Sequence, residues 1–193
     1  MADFVPAAGK PWLLPLYDPL SRLAGAGRLH ERLLEQAGLR AGQRVLEIGC
    51  GTGNLLAAQA RRGPRVVAVG IDPDPAALRR ARRKAGRAGA VIEFRQAYAG
   101  DLPFAGGGFD VVLSSLMLHH LDEAGRDRAL REVVRVLRPG GRLHVADLDG
   151  HGRWGALAPG AFTGAGLVEV AVTGRGRAWR FGGYSLFTAA APA

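Results

Sequence analysis

Three glycines at alternate positions, Gly49, Gly51 and Gly53, follow a short apolar run and constrain this chain more than any other feature of its sequence. The aliphatic residues before them are typical of a strand that is buried on both faces. Glycine permits a sharp backbone turn and leaves no side chain where a ligand has to approach closely. Thr52 and Asn54 are suited to cap a following helix. The segment therefore predicts a strand, a glycine turn and a helix around a ligand site.

The spacing of the glycines differs from that of a dinucleotide-binding turn, which has two residues between its second and third glycines. Here a single residue separates Gly51 from Gly53, and an acid, Glu47, lies just before the turn. A carboxylate at this point repels a diphosphate but attracts an ammonium or sulfonium group. These features count against a nicotinamide-dependent oxidoreductase and favour a ligand that carries a positive charge.

A second acid, Asp72, ends the next apolar strand, which is predicted at 66–71. In a right-handed strand–helix–strand unit such a residue lies at the carboxyl edge of the sheet, beside the ligand crevice. A carboxylate there can accept hydrogen bonds from both hydroxyls of a ribose. The alternative is that Asp72 caps the helix predicted at 74–87, but Asp74 is better placed for that role. We therefore expect Asp72 to bind a ribose.

The rest of the chain alternates helical and strand patterns, as expected for a mostly parallel α/β sheet. Helices are predicted at 28–37, 53–62 and 123–137, the last capped by Asp122, and further strands at 91–96, 109–114 and 142–148. The Arg-Pro-Gly-Gly run at 138–141 is expected to end the third of these helices before the fifth strand begins. Two closing strands, near 167–173 and 179–188, are expected to pair as a hairpin.

The length of 193 residues suits one domain with a full core. Within 1–193 we expect an N-terminal helical cap or lid over 1–40, a ligand-binding core over 41–148, and a loop with the closing hairpin over 149–193. The N-terminal segment lacks the basic-then-apolar residue order of a signal peptide. No apolar run approaches the roughly 20 residues of a membrane span. The single cysteine gives no metal-ligand spacing. We expect a cytoplasmic protein that binds neither a membrane nor a metal.

The net charge of +9 comes almost wholly from arginine, because lysine occurs only at Lys10 and Lys84. Arginines at 79, 80, 82, 83 and 87 crowd the helix predicted at 74–87. A solvated helix face explains this run better than a polyanion-binding patch, because no aromatic residues are interleaved with it for base stacking. The charge therefore does not predict a nucleic-acid partner, and nothing in the sequence indicates an oligomeric state.

The glycine-rich segment 44–54 closely resembles motif I of class I S-adenosylmethionine-dependent methyltransferases. Phe-Asp-Val-Val at 109–112 and Arg-Val-Leu-Arg-Pro-Gly-Gly at 135–141 resemble the small-molecule, type 11-like members of this class. The resemblance implies a single α/β, Rossmann-like three-layer sandwich with a seven-stranded, mostly parallel sheet in the order 3-2-1-4-5-7-6 and an antiparallel last strand. It also implies S-adenosyl-L-methionine as the cofactor, with in-line transfer of its methyl group to an O, N, C or S nucleophile of a small-molecule acceptor.

The resemblance assigns cofactor contacts to residues around the glycine turn, at the strand ends and in the N-terminal lid. They are Glu47, Gly49, Cys50, Gly51, Gly53, Asn54, Asp72, Pro73, Tyr98, Ala99, Ser114 and Tyr17. Glu47 is expected to help hold the turn and to favour the cationic methionine end of the cofactor. For Tyr17 the alternative is simple packing on the helix predicted at 28–37.

Tyr98 departs from the family pattern. Relatives place an acid at this position, ahead of the Leu-Pro-Phe run at 102–104, in the segment that packs against adenine. Tyr98 can stack on the adenine ring or offer its hydroxyl, whereas Asp101 lies too late in the segment to replace the acid. We therefore expect this protein to differ from its relatives on the adenine side.

Methyl transfer requires no nucleophilic side chain, and a base only when the acceptor must lose a proton. His119 and His120 lie near the end of the fourth strand, and His120 is expected to point inward; the alternative is a histidine of a helical turn bonded to backbone. Asp147 and His151 are candidates for a second acid–base pair, whereas His144 is expected to be a packing residue. A cofactor-binding but catalytically silent regulatory or scaffold domain is the alternative to an enzyme.

Overall fold

The computed structural model describes residues 26–150, 157–178 and 182–193. The α-helices are α1 Ala26–Ala37, α2 Asn54–Arg62, α3 Pro75–Arg87, α4 Glu123–Val136 and α5 Pro159–Gly164, and a 3-10 turn spans Leu118–His120. The strands are β1 Arg44–Ile48, β2 Val67–Asp72, β3 Ile92–Gln96, β4 Phe109–Ser115, β5 Leu137–Leu148, β6 Val168–Ala178 and β7 Gly182–Ala190. None of the described helices is long and apolar enough to cross a membrane.

The strands form one seven-stranded sheet in the order β3-β2-β1-β4-β5-β7-β6. β1 pairs in parallel with β2 and β4, whereas β7 lies antiparallel to both β5 and β6. The predicted fold class, strand order and antiparallel last strand are confirmed. Because the chain order reverses between β1 and β4, the carboxyl ends of these two strands open the crevice at which ligands bind in such sheets.

Alternate side chains of β1 face opposite layers of the fold, as the pleat of a strand requires. Leu46 and Ile48 pack in one core cluster with α4 and α5, whereas Val45 packs with α1 and α2 on the other face. A third cluster around Phe94 joins α2 and α3 to β2 and β3. Helices therefore cover both faces of the sheet, and the alternation directs Glu47 toward the face covered by α1 and α2.

Two boundaries depart from the predictions. β5 begins at Leu137, so the Arg-Pro-Gly-Gly run at 138–141 lies inside the strand rather than before it. The C-terminal residues extend the sheet there, because the Ala191 N–H donates to the carbonyl of Gly141 at 2.8 Å. Helix α5 was not predicted. It begins at a proline, which suits a first helical position, and it is anchored by the fully buried Phe162.

Two of the predicted helix caps are confirmed and one is wrong. Asp74 and Asp122 each accept a backbone N–H from the first turn of their helix, at 2.7 Å. At α2 the cap position is Gly53, rather than the predicted Thr52 or Asn54, and it has no side-chain cap hydrogen bond. Both of these side chains are engaged elsewhere in the site.

His144 is buried in mid-strand and joins α1 to the closing hairpin. Its Nδ1 lies 3.0 Å from Nε2 of Gln36, which also donates to the carbonyl of Phe187 at 2.8 Å. Thr173 on β6 completes the group by donating to the side-chain carbonyl of Gln36. Burial, aided by the nearby charge of Arg142, lowers the pKa of His144 to about 4. The folded state therefore favours the neutral imidazole.

This shift predicts an acid-dependent loss of stability. Above pH 6.5 His144 is neutral in both states, but between pH 6.5 and 4 it takes up a proton only in the unfolded chain. We expect the free energy of unfolding to fall over this window, by roughly 2–3 kcal/mol for this histidine. His144→Asn, which keeps an acceptor for Gln36, should flatten the loss in urea titrations at pH 7, 5.5 and 4. Parallel curves for the two proteins would contradict this expectation.

Candidate active site

The glycine turn connects β1 to α2, and all three of its glycines have left-handed backbone angles, with φ of 69° at Gly49, 51° at Gly51 and 73° at Gly53. Two of them are also required by neighbouring side chains. A Cβ at Gly49 would lie 2.2 Å from Cγ of Met117, and one at Gly53 would lie 3.0 Å from Cβ of Ala81. A Cβ at Gly51 would have no described atom within 4 Å. Of the three, Gly51 alone therefore borders open space into which a ligand can come.

Lys84 reaches from α3 to the same loop. Its Nζ lies 2.5 Å from Oδ1 of Asn54 and 3.3 Å from Oγ1 of Thr52, and the Asn54 amide in turn donates to Thr52 at 3.3 Å. The polar side chains expected to cap α2 are thus used to fix a lysine beside the turn. Lys84 was not among the predicted site residues, although a single lysine in an otherwise arginine-based helix was a signal. Lysine presents a compact charge on a flexible stem, which arginine does not.

Asp72 ties the glycine turn to the start of α3. One carboxylate oxygen accepts the Gly51 N–H at 2.8 Å, and the other accepts the Asp74 N–H at 2.9 Å. Since each oxygen can accept a second hydrogen bond, the carboxylate keeps acceptor capacity toward the crevice. Burial raises the pKa of Asp72, while these two backbone hydrogen bonds oppose the increase.

Glu47 is the most deeply buried acid of the turn, with 2% of its surface exposed. Its Oε2 is fully buried and has no hydrogen-bond partner among the described residues. Burial raises the pKa of Glu47 well above its ordinary value, and the charge of Asp72 adds to the increase. A backbone N–H of Leu56 and the charge of Lys84 oppose it. A buried carboxylate oxygen without a donor is costly, and a ligand cation would satisfy it.

The remaining predicted cofactor contacts fall into two groups. Ser114 is fully buried beside Ile48 in the sheet register, with its hydroxyl unpaired among the described residues. Pro73 and Ala99 are half-buried near the carboxyl ends of β2 and β3. Cys50, by contrast, is directed into the core, where its burial raises the pKa of the thiol, and its N–H is bonded to the Ile71 carbonyl. Its side chain is therefore held away from the crevice.

Tyr98 follows β3 and is 55% exposed. The segment after it is held in place from α4. Glu132 accepts the backbone N–H of Leu102 at 2.7 Å, and Arg135 donates to the carbonyls of Leu102 and Phe104 at 2.9 and 2.7 Å. The hydrogen bond from Arg135 lowers the pKa of Glu132. This ion pair, which the sequence analysis did not anticipate, fixes the segment on which Tyr98 is displayed.

A left-handed residue shapes the substrate side of the crevice. Leu116, just after β4, has φ of 54°, which is uncommon for a residue other than glycine. The next residue, Met117, packs against Gly49, and the 3-10 turn then carries His119. Arg126, which is buried in α4, donates to the carbonyls of Leu118 and Leu121 at 3.2 and 3.0 Å and supports this turn. Such conformations persist only where surrounding contacts enforce them, and they cluster at functional sites.

His119, not His120, is the histidine that the turn directs inward. His119 Nδ1 lies 2.5 Å from Oδ1 of Asp147, and the two side chains are 13% and 1% exposed. His120 is exposed, with its ring stacked at a tilt against that of His119. The expected inward orientation of His120 is therefore wrong, because the backbone N–H and the ring of His119 both bond Asp147. Asp147 is paired with His119, and the predicted partner His151 lies outside the described residues.

Two predicted residues, Tyr17 and His151, lie outside the described residues, as do residues 1–25 of the cap or lid predicted over 1–40. Within the described ranges, no group of three or more His, Cys, Asp and Glu side chains is arranged to hold a metal ion. The arginines of α3 are mostly exposed, and Arg82 also donates to the carbonyl of Phe94 at 2.7 Å.

Residues 45–141 match the family described as methyltransferase domain. The match covers half of the chain and runs from β1 into β5, so it includes the glycine turn, Asp72 and the turn that bears His119. The chain belongs to the methyltransferase-domain family, and the predicted membership of the S-adenosylmethionine-dependent methyltransferases is confirmed. S-adenosylmethionine is the cofactor of this family, which leaves the nicotinamide interpretation without support.

The chain is 37% identical over 146 residues to the uncharacterized methyltransferase sll0829 of Synechocystis, with 75% of this chain and 66% of that protein covered. It is 38% identical over 138 residues to the demethylmenaquinone methyltransferase of Thermus thermophilus, with 70% and 62% covered. The chain thus spans slightly under two thirds of the length of these relatives. The solved structure of Haemonchus contortus phosphoethanolamine N-methyltransferase 2 shares the fold, with a TM-score of 0.73, 17% identity, and 85% and 52% of the two chains covered.

The burial of Glu47 predicts that this residue lowers the stability of the folded protein when no cation is bound beside it. Above the ordinary glutamate pKa the unfolded chain releases the Glu47 proton while the folded chain retains it, so stability declines as pH rises toward the raised folded-state pKa. Glu47→Gln removes this titration. We expect it to raise the melting temperature of the ligand-free protein at pH 8 by roughly 2–6 °C, and by less at pH 5.

Glu93→Gln, at an exposed glutamate of β3, serves as the control and should leave the melting temperature nearly unchanged, because exposed ion pairs contribute little. Calorimetric scans of the three proteins at the two pH values make the comparison. A Glu47→Gln variant that melts at or below the wild-type temperature at pH 8 would contradict the description of Glu47.

Proposed function

We propose that this chain transfers the methyl group of S-adenosyl-L-methionine to a small-molecule acceptor. The observation that carries the proposal is Oε2 of Glu47, which has no partner among the described residues and is buried beside a glycine turn whose Gly51 has no described atom near its Cβ position. The negative polarity of this carboxyl oxygen suits the α-ammonium of the cofactor, and a diphosphate at the same place would be repelled. Sequence motif, family membership and local charge therefore favour the same ligand.

The remaining contacts follow from the order of the strand ends. Asp72, with one acceptor site left on each oxygen, is placed to receive the ribose hydroxyls. Pro73, Tyr98 and Ala99 border the place where adenine would follow, next to the segment that α4 holds fixed. Lys84 neutralises part of the charge of Glu47 and secures the loop.

The cofactor, when bound, supplies an electrophilic methyl group on a sulfonium. The protein is then required to align the acceptor with that methyl group and to exclude water. The end of β4, with Ser114, the left-handed Leu116 and Met117, forms the rigid wall on the acceptor side. Transfer to an acceptor that is already nucleophilic requires no further chemistry from the chain.

The class of acceptor is inferred from relatives. The Thermus thermophilus relative is named for demethylmenaquinone, a small molecule with a quinone ring. Acceptor choice in this fold depends on segments that flank the core, and these are where this chain shows least pattern. A small-molecule acceptor is thus our proposal.

The departure at Tyr98 favours one alternative, a domain that binds the cofactor without transferring its methyl group. Calorimetric titration with S-adenosylmethionine, followed by transfer of a tritiated methyl group to phenols, quinols, amines and thiols, separates the two. Binding together with labelled product supports the proposed function. Binding without product across the whole panel supports the silent domain, and no binding contradicts both.

The ribose contact can be tested without knowing the acceptor. We expect wild-type protein to bind S-adenosylhomocysteine roughly 10–100-fold more tightly than an analogue lacking both ribose hydroxyls, because charge-assisted hydrogen bonds are lost. Asp72→Asn should weaken binding of the natural ligand and should discriminate far less between the two ligands. Titration calorimetry of the four pairs measures the coupling directly.

Asp74→Asn is the matched control, since Asp74 caps α3 and is not expected to touch the ribose. It should affect both ligands equally. If Asp72→Asn retains the full wild-type discrimination, Asp72 serves only to order the turn and the helix start.

A further inference from the structure

His119 and Asp147 form an almost fully buried pair at the carboxyl ends of β4 and β5, the edge of the sheet that also carries the glycine turn. Asp147 accepts three hydrogen bonds. The Nδ1 of His119 lies 2.5 Å from Oδ1, the backbone N–H of His119 donates to Oδ2 at 3.0 Å, and that of Leu148 donates to Oδ1 at 2.8 Å. The two backbone partners are donors, and an ionised carboxylate offers acceptors only.

This arrangement fixes the tautomer of the histidine. Because Asp147 requires a donor at Nδ1, the proton of the neutral His119 ring is on Nδ1 and the lone pair is on Nε2. No described residue hydrogen-bonds Nε2 of His119. The ring is thus oriented and polarised as a proton acceptor, by a residue that is itself held by two backbone donors.

The pair is rigidly connected to the cofactor side of the crevice. Met117, two residues before His119, fills the space over Gly49, and the left-handed Leu116 sets the direction of the turn between them. Arg126 secures the same turn from beneath through two carbonyl groups. The next residue along, His120, is exposed, and Asp147 forms its hydrogen bonds with His119 instead. The two adjacent histidines therefore form a natural pair of test position and control.

We propose that His119 is the general base of this enzyme, that Asp147 is its positioning residue, and that the acceptor is an un-ionised hydroxyl of an alcohol or phenol. The proposal rests on the proposed methyltransferase function. The hydroxyl oxygen forms a bond to the methyl carbon as its proton passes to Nε2 of His119. The carbon–sulfur bond breaks with its electron pair remaining on sulfur, which leaves a methyl ether, a neutral thioether and an imidazolium paired with Asp147.

The chemistry of the nucleophile selects this acceptor class. A neutral amine already presents a lone pair, and a thiol is partly ionised near neutral pH, whereas a phenol or alcohol retains its proton. A positioned base contributes about 10²–10⁴-fold to such reactions when a proton must leave in the transition state. Of these three acceptors, the hydroxyl gains most from a buried and tautomer-fixed histidine, because it has to lose its proton as the methyl group arrives.

The first experiment compares matched acceptors: phenol with aniline and thiophenol, and benzyl alcohol with benzylamine and benzyl thiol, each with labelled S-adenosylmethionine. We expect methylation of a hydroxyl member, at oxygen. If only amines or thiols are methylated, the methyltransferase function is supported and the hydroxyl proposal is wrong. If the cofactor binds and no member is methylated, both proposals are wrong.

The second experiment uses His119→Asn, which keeps a donor toward Asp147 but has no basic nitrogen. Its kcat for the hydroxyl acceptor should fall about 10²–10⁴-fold, while the Kd for S-adenosylmethionine changes by less than about twofold. His120→Asn should retain wild-type kcat. The rate of His119→Asn should rise toward the wild-type rate at high pH, where a phenol ionises without help. An unchanged kcat, or a loss of cofactor affinity, would overturn the assignment.

A third measurement reports the tautomer of His119 directly and needs no catalytic turnover. Nitrogen-15 NMR of the complex with S-adenosylhomocysteine should show His119 as the neutral tautomer protonated at Nδ1, with the proton shifted far downfield by Asp147. Asp147→Asn should abolish that signal and reduce kcat on the hydroxyl acceptor while leaving cofactor affinity unchanged. A ring protonated at Nε2 in the wild-type complex would contradict the proposed base, whatever the activity.

Discussion

The burial of two carboxylates at the ends of β1 and β2 is the interaction on which the site depends. Glu47 and Asp72 are removed from water close to one another, and burial raises the pKa of both. Asp72 is compensated by two backbone N–H groups, whereas Glu47 keeps one oxygen without a described partner. Folding therefore leaves a buried carboxyl oxygen without a described donor at one point of the crevice, and a cationic ligand would compensate it.

The backbone conformation around these two acids is tightly constrained. The turn requires left-handed angles at three glycines, and Leu116 adopts a similar angle on the facing strand end. Met117 is wedged against Gly49, so the cofactor side and the acceptor side of the crevice are parts of one packed unit. Asp72 and Lys84 join that unit to α3. The position of His119 is consequently set by the same contacts that shape the glycine turn.

Local patterns were enough to predict much of this arrangement. Apolar strand periodicity, glycine spacing and the capping propensity of Asp74 act over a few residues, and the sheet order then follows from the family resemblance. Contacts that join distant segments were not predicted. Lys84 meets Asn54 across 30 residues of chain, and His119 meets Asp147 across 28. No local pattern specifies which of two adjacent histidines turns inward, because the hydrogen bonds to Asp147 hold His119 there.

Some side chains of the glycine-rich segment have environments that the local pattern did not predict. Cys50 lies within the motif, but its side chain fills the core between β2 and α3 instead of facing the crevice. Thr52 and Asn54 have the right chemistry for a helix cap, yet their oxygens are engaged by Lys84. The start of β5 depends on pairing of Leu137 with Phe109, and the residues after it pair with the end of the chain, so no window around position 137 contains these partners.

The most direct test of the account is the number of protons released when the cofactor binds. Because burial raises the pKa of Glu47 and an ammonium would lower it again, binding of S-adenosylmethionine should release a proton and tighten as pH rises. Calorimetry in two buffers with different ionisation enthalpies measures that release. We expect wild-type protein to release protons and Glu47→Gln to release none and to bind more weakly. Equal proton release and equal affinity for the two proteins would contradict the central role of Glu47.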